Sequence, residues 1–206
     1  MKSVRYFHGI HLPEWPREAI YRRLGFRRSA TTLTEAQRAE TERSIQEAMD
    51  LIRLKGALLR LPLRIENSRR SAIPDGTVFE SAHLAGFLRN CREVVFMGAT
   101  AGEAVMEAIK TDMAQERATR AVVLDATASE AVDAALDWIM TFLAGVVRRE
   151  GRSPLKTRYS AGYGDLALEN QRQIHRLLGM DRLGVSLTDH CVLVPEKSVT
   201  AITGIV

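Results

Sequence analysis

Glu93-Val94-Val95-Phe96-Met97-Gly98-Ala99-Thr100-Ala101-Gly102 is the stretch on which the fold turns. Its first five residues form a short apolar run bounded by small residues, which predicts a strand over 93–97. Gly98 to Gly102 then reads as a small-residue loop, and Val105, Met106 and Ile109 recur at helical spacing from Glu103 to about Gln115. Strand, glycine loop and helix in that order also open a Rossmann-like nucleotide binder or a class I methyltransferase. The spacing here is G-x-x-x-G, not G-x-G-x-x-G, and no regular βαβ succession follows.

On the C-terminal side, Ala121 to Arg149 reads as one long helix whose start could fall as late as Ser129. Ala131, Ala134, Ala135, Trp138, Ile139, Phe142 and Leu143 face inward. Gly151 and Pro154 end it, Leu155 to Ser160 reads as a strand, a glycine loop follows, and Leu168 to Leu178 makes a last helix stopped by Gly179. Gly184 to Thr188 and Val199 to Ile205 are predicted as closing strands around Pro195. On the N-terminal side, Ser81 is an N-cap for a short helix, Pro74-Asp75-Gly76 a turn, and Leu63 to Asn67 a strand. Thr34-Glu35-Ala36-Gln37 has the form of a capping box opening a helix from Glu35 to about Leu58. Residues 1–33, rich in Pro, Arg and aromatics without sustained period, are expected as an N-terminal arm on a domain spanning 34–206. Irregular alternation and a tail of short strands favour α+β with a mostly antiparallel sheet over a doubly wound fold.

A chain of 206 residues with 46% apolar and 26% charged side chains can bury a sizeable core unaided, which excludes disordered and fibrous classes. The net charge of +4 is too small to argue for nucleic acid, although Arg17, Arg22, Arg23, Arg27 and Arg28 crowd one stretch and Arg69 and Arg70 another. Such stretches read as solvated surface or as a docking face for an acidic partner. Cys91 and Cys191 are expected as reduced, buried thiols. Met1-Lys2-Ser3-Val4-Arg5 leads into no apolar signal segment, and Ala121 to Val147 is interrupted by Asp125, Glu130, Asp133 and Asp137. A cytoplasmic protein without a membrane partner is expected.

The segment richest in chemistry is Arg158-Tyr159-Ser160-Ala161-Gly162-Tyr163-Gly164-Asp165. Glycines let backbone approach a ligand, Arg158 can grip a carboxylate through two parallel bonds, and Tyr163 can stack and hydrogen-bond. The set suits a zwitterionic or nucleoside-bearing small molecule. The plainer alternative is a glycine turn in which Asp165 caps the following helix and Arg158 sits in a surface ion pair.

At this point the chain resembles a known family, the activation domain of cobalamin-dependent methionine synthase in its stand-alone form. Arg158 to Tyr163 matches that family's R-x-x-x-G-Y signature for S-adenosylmethionine and is followed by Gln171 and the Leu177-Leu178 helix end. Gly184-Val185-Ser186-Leu187-Thr188-Asp189 through Val194-Pro195-Glu196-Lys197-Ser198-Val199 is similar to the family's closing pattern. Ser81 through Gly102 resembles the separate-chain members more loosely, so the likeness runs from about Leu63 to Val206.

The resemblance implies a twisted, mostly antiparallel sheet flanked by helices, with S-adenosylmethionine in a shallow site at the sheet. It implies that Arg158 holds the methionine carboxylate, that Gly162 and the backbone around Tyr159 and Ala161 meet adenine or ribose, and that Tyr163 lines the methyl-transfer face. The family's acidic residue shortly before the signature arginine has no counterpart in Arg152 to Thr157, so Glu130 or Asp133 on the long helix is the expected acidic contact. No D-x-H-x-x-G is present, which implies that cobalamin arrives on a partner chain, a methionine synthase core or similar corrinoid protein. The implied reaction is repair: a flavodoxin- or ferredoxin-type donor reduces Co(II), and S-adenosylmethionine methylates the resulting Co(I). No catalytic nucleophile or base and no metal site in this chain is expected.

His8 and His11 lack accompanying ligands and read as a structural pair. Asp189-His190-Cys191 is expected on a strand, where alternate side chains point apart and His190 cannot easily activate Cys191. Two other functional readings stand beside the repair protein: a non-catalytic corrinoid-related binding or assembly protein, and a Rossmann-like methyltransferase built on Gly98 to Gly102.

Overall fold

The computed structural model describes residues 3–27 and 30–206, so Met1, Lys2 and Arg28 of the sequence expectations lie outside the described residues. The elements run β1 (Arg5–Phe7), α1 (Arg17–Arg23), α2 (Glu35–Leu51), β2 (Lys55–Pro62), β3 (Arg64–Asn67), β4 (Arg70–Ala72), β5 (Val78–Glu80) and α3 (Ala82–Leu88). They continue with β6 (Glu93–Thr100), α4 (Ala104–Ala114), α5 (Ala118–Arg148), α6 (Asn170–Leu178), a 3-10 turn (Met180–Leu183), β7 (Ser186–Leu187), β8 (Leu193–Val194) and β9 (Ser198–Ile205).

The main sheet has the order β1-β2-β6-β9, and each pairing in it is antiparallel. A three-stranded meander, β3-β4-β5, and the hairpin β7-β8 complete the strands among the described residues. This is the expected α+β class, a mostly antiparallel sheet flanked by helices. It excludes the Rossmann-like alternative, because β6 lies between two antiparallel neighbours.

The sheet is buried on both faces. Val95, Met97, Ala99, Ala201 and Ile205 pack with Ala131, Ala135 and Ile139 of α5 and Ala48 of α2. On the other face Val94, Phe96, Ile202, Ala57 and Leu59 pack with Leu84 and Leu88 of α3, Ile174 and Leu178 of α6, and Met180. Alternating side chains of one strand thus feed two cores. That is why the strands read as apolar runs without a polar phase.

The decisive stretch differs from its expectation: Gly98, Ala99 and Thr100 continue β6, and no glycine loop forms there. Gly98 answers a packing demand. A Cβ at this position would lie 2.6 Å from Sδ of Met180 and 2.9 Å from its Cε. Across the ladder in β2, a Cβ on Gly56 would meet Cδ1 of Ile139 at 2.7 Å. Two glycines on neighbouring strands therefore admit a large side chain from each layer.

The helix expected to reach Leu58 stops at Leu51, where Ile52 turns extended (φ −66°, ψ 131°), and β2 follows. A strand buried on both faces has no period to separate it from a buried helix, so Ala57, Leu58 and Leu59 read as helix continuation. The capping box itself is present, with Thr34 Oγ1 accepting from the Gln37 N–H at 3.2 Å and Gln37 Oε1 accepting from the Thr34 N–H at 3.0 Å. The arm is built into the domain: β1 pairs with β2 at the sheet edge, and Ile20 of α1 is fully buried beside Ile45, Val123 and Ala126.

Helix α5 starts at Ala118, ahead of Ser129, and its 31 residues span about 46 Å. Asp112, fully buried at the end of α4, fixes the corner between the two helices: it accepts from Arg117 at 2.6 Å and also from Arg120. Residues 155–160 do not form the expected regular strand. They follow the outer edge of β9 through the isolated bridges Pro154 to Ile205 and Tyr159 to Ile202; Ser153 and Leu155 on either side of Pro154 donate to Val206 and Gly204, so the proline occupies a position whose N–H the pairing does not use. No helix among the described residues is long and apolar enough to cross a membrane.

Candidate functional site at the β9 edge

A cleft of about 420 Å³ opens where residues 158–163 cross the outer edge of β9 beneath α5. Tyr159 is fastened to the strand by two backbone bonds with Ile202, of 2.8 and 2.7 Å, and Ser160 Oγ donates to the Thr200 carbonyl at 2.9 Å. Beyond Ala161 the chain reverses through Gly162 (φ 87°) and Gly164 (φ 56°), both in the left-handed region that suits glycine. The turn closes with Gly162 N–H to Leu166 C=O at 2.8 Å, and the Tyr159 hydroxyl donates to the Tyr163 carbonyl at 3.0 Å. Tyr163 stands at the mouth with 70% of its surface exposed.

Of the six residues expected to bind a ligand, Arg158, Tyr159, Ala161 and Tyr163 line this cleft together. Gly162 is not part of the wall; it shapes the turn behind it. Glu130 is also absent from the wall, a correction to the acidic contact expected there: its Oε1 accepts from Arg23 Nε of α1 at 2.5 Å. Asp133, the other acidic candidate on α5, does line the cleft. Burial raises its pKa above the ordinary carboxylate value, helped by repulsion from Glu130 and Asp137 and opposed by Arg158 and Arg23. With 54% of its side chain exposed the effect is modest.

Arg158 does sit in a surface ion pair, as in the plainer alternative, but the sequence named neither its partner nor the floor of the cleft. Asp137, one turn beyond Asp133, accepts from Arg158 Nη1 at 2.5 Å; its carboxylate is 73% exposed, while Arg158 is only 23% exposed. The signal for it was the i, i+4 placement of Asp133 and Asp137 on one helix face. The floor carries a buried polar pair, Gln171 and Thr200, bonded at 2.8 Å. Its amide belongs to α6 and its hydroxyl to β9, so the cleft joins α5, the turn at 158–163, α6, β8 and β9.

Asp165 does not cap the following helix. Its carboxylate crosses to the N-terminus of α3, accepting from the Ser81 hydroxyl, the Ala82 N–H at 2.7 Å and the His83 N–H at 3.2 Å. The Ser81 hydrogen bond above all, with those from the two N–H groups, lowers its pKa to about 2. The glycine turn is thereby pinned at its far end, a stiff wall for the cleft. Asp189 and His190 lie in the β7–β8 turn, and Cys191 follows with φ 63°, so the strand expected there is not formed.

The wall as built offers a guanidinium, one carboxylate and two phenol rings within one small-molecule-sized cleft, with the Asp137 carboxylate held beside it by Arg158. It suits a ligand that carries both charges beside a flat or apolar body.

No protein-family model matches the chain, and no curated protein matches it. Among solved structures it is similar to the crystal structure of the MetH reactivation domain bound to AdoHcy, with a TM-score of 0.71 at 13% identity. The superposition covers 98% of this chain and 78% of that one. The fold is therefore that of the MetH reactivation domain.

Proposed function

We propose that this chain is a stand-alone reactivation protein that binds S-adenosylmethionine in the β9-edge cleft. It supports reductive methylation of oxidised cobalamin carried by a separate methionine synthase or similar corrinoid protein. The observation that carries this reading is the convergence of Arg158, Asp133 and Tyr163 on one cleft of about 420 Å³ in a chain of this fold. Arg158 holds the methionine carboxylate once Asp137 gives way. Asp133 faces the amino and sulfonium charges, Tyr163 lines the methyl-transfer face, and backbone at Tyr159 and Ala161, held in place by the turn at Gly162, meets the adenine or ribose.

The bound donor supplies a methyl group: its C–S bond breaks with the electron pair left on sulfur, and Co(I), formed from Co(II) by one electron from a flavodoxin- or ferredoxin-type donor, takes the methyl. No proton moves in that transfer, so this chain needs no acid or base. Its residues fix the sulfonium carbon in line with the incoming centre, which is catalysis by proximity and orientation.

Titration calorimetry with S-adenosylmethionine and S-adenosylhomocysteine tests the assignment. Arg158→Ala is expected to cost about 2 kcal/mol or more of binding, roughly 30-fold, because it leaves the ligand carboxylate unpaired. Unchanged affinity overturns the site. A second reading, a corrinoid-related binding or assembly protein without the methyl donor, is favoured by Asp137 already neutralising Arg158. Failure of both the wild type and Asp137→Asn to bind the donor supports that reading instead.

A further inference from the structure

The opposite side of α5 carries a second groove, of about 530 Å³, between the helix and the edge strand β1. Its floor is aromatic. Phe7 of β1 meets Trp138 and Phe142 edge-on at 5.2 Å each, and those two rings stack at 6.1 Å. Its rim is cationic: Arg5 lies 4.8 Å over the Phe142 ring, and Arg148 and Arg149 stand exposed at the end of α5. No carboxylate among the described residues lines the groove.

Two independent features suggest that this groove is kept open for a partner. The first is Gly145, exposed in the interior of α5, where a Cβ would meet nothing within 4 Å. Glycine there weakens the helix relative to alanine, and no neighbour among the described residues requires it. Its effect is to deepen the groove. The second is the edge itself: among the described residues β1 pairs only with β2, leaving its outer side without a ladder partner. A second copy of this chain is a poor occupant, since pairing β1 with β1 would bring two sets of like charges together.

We propose that the β1 edge is a docking surface for an extended acidic segment of another protein. The segment adds a strand to β1, lays an apolar side chain over Gly145 against Trp138 and Phe142, and sets its carboxylates opposite Arg5, Arg148 and Arg149. The proposal does not depend on what the β9-edge cleft binds.

The test uses the full chain carrying Trp15→Phe, so that Trp138 is the one remaining tryptophan, and a short peptide of alternating glutamate and leucine as probe. Saturable quenching of Trp138 is expected, with affinity falling at least about threefold as salt rises from about 50 to about 300 mM. Arg148→Glu with Arg149→Glu is expected to weaken binding about tenfold or more. Gly145→Leu, which fills the groove, is expected to weaken it similarly with the far-ultraviolet dichroism unchanged. Alternate N-methylation of the peptide should abolish binding by blocking strand addition. Equal binding of a lysine-leucine peptide, indifference to charge reversal or to N-methylation, or no saturable quenching overturns the proposal.

Discussion

The two edges of the main sheet are finished in opposite ways. At β9 the chain returns to cover its own strand, with Pro154 and Tyr159 bridging to Ile205 and Ile202. The guanidinium it brings is matched by a carboxylate, Arg158 with Asp137. At β1 the strand is three residues long and, among the described residues, carries no cover, and Arg5, Arg148 and Arg149 face a groove whose described wall holds no carboxylate. The covered edge is organised by backbone hydrogen bonds and a stiff turn, which suits a small ligand needing fixed geometry. The bare edge offers aromatic area and unmatched charge, which suits a chain supplying its own hydrogen bonds.

The comparison breaks most severely if the edges do not share one core. Gly98→Val in the central strand forces Met180 aside and is expected to cost about 3 kcal/mol in a urea titration. Ligand binding at β9 and peptide binding at β1 should then fail over one denaturant range. Asp165→Asn should act on the covered edge alone. Its folded pKa, near 2, lies below the ordinary 3.8, so the stabilisation is full above the unfolded value and is lost as pH falls through the folded one. Thermal melts should show the variant less stable at pH 6, with the gap closing between pH 4 and pH 2.

Asp137→Asn removes the charge matching that separates the edges. It is expected to tighten S-adenosylmethionine binding by up to about fivefold, the worth of roughly 1 kcal/mol for an exposed ion pair. Weaker binding would instead give Asp137 a direct contact with the ligand. The smallest effect belongs to the bare edge: Arg5→Ala gives up one exposed cation–π contact, about 0.5 kcal/mol of stability by chemical denaturation.

Local signals were legible in the sequence. Thr34 and Gln37, Ser81 with the Leu84 N–H at 2.9 Å, and left-handed Gly179 after α6 each act within a few residues, and each lies where its pattern points. The glycine turn after Arg158, which places Tyr159, Ala161 and Tyr163 on a cleft wall, was legible for the same reason. What failed were features set by distant packing. Gly98 looks like loop because Met180, which needs its space, is 82 positions away in the chain. Lys55 to Pro62 looks like helix because both of its faces are buried. Glu130 could not be told from Asp133 as the acidic wall until the position of Arg23 was known.

Met180 is fully buried, with its sulfur seated in the space that Gly98 leaves in the sheet. A sulfoxide oxygen has no room there, so peroxide can reach this thioether only when the chain opens. Under oxidant, the modification rate at Met180 becomes a clock for whole-domain opening. Exposed Met113 on α4 should react at the rate of the folded surface. The ratio of the two rates, read by mass spectrometry, measures how long the sheet stays closed in an oxidising cell.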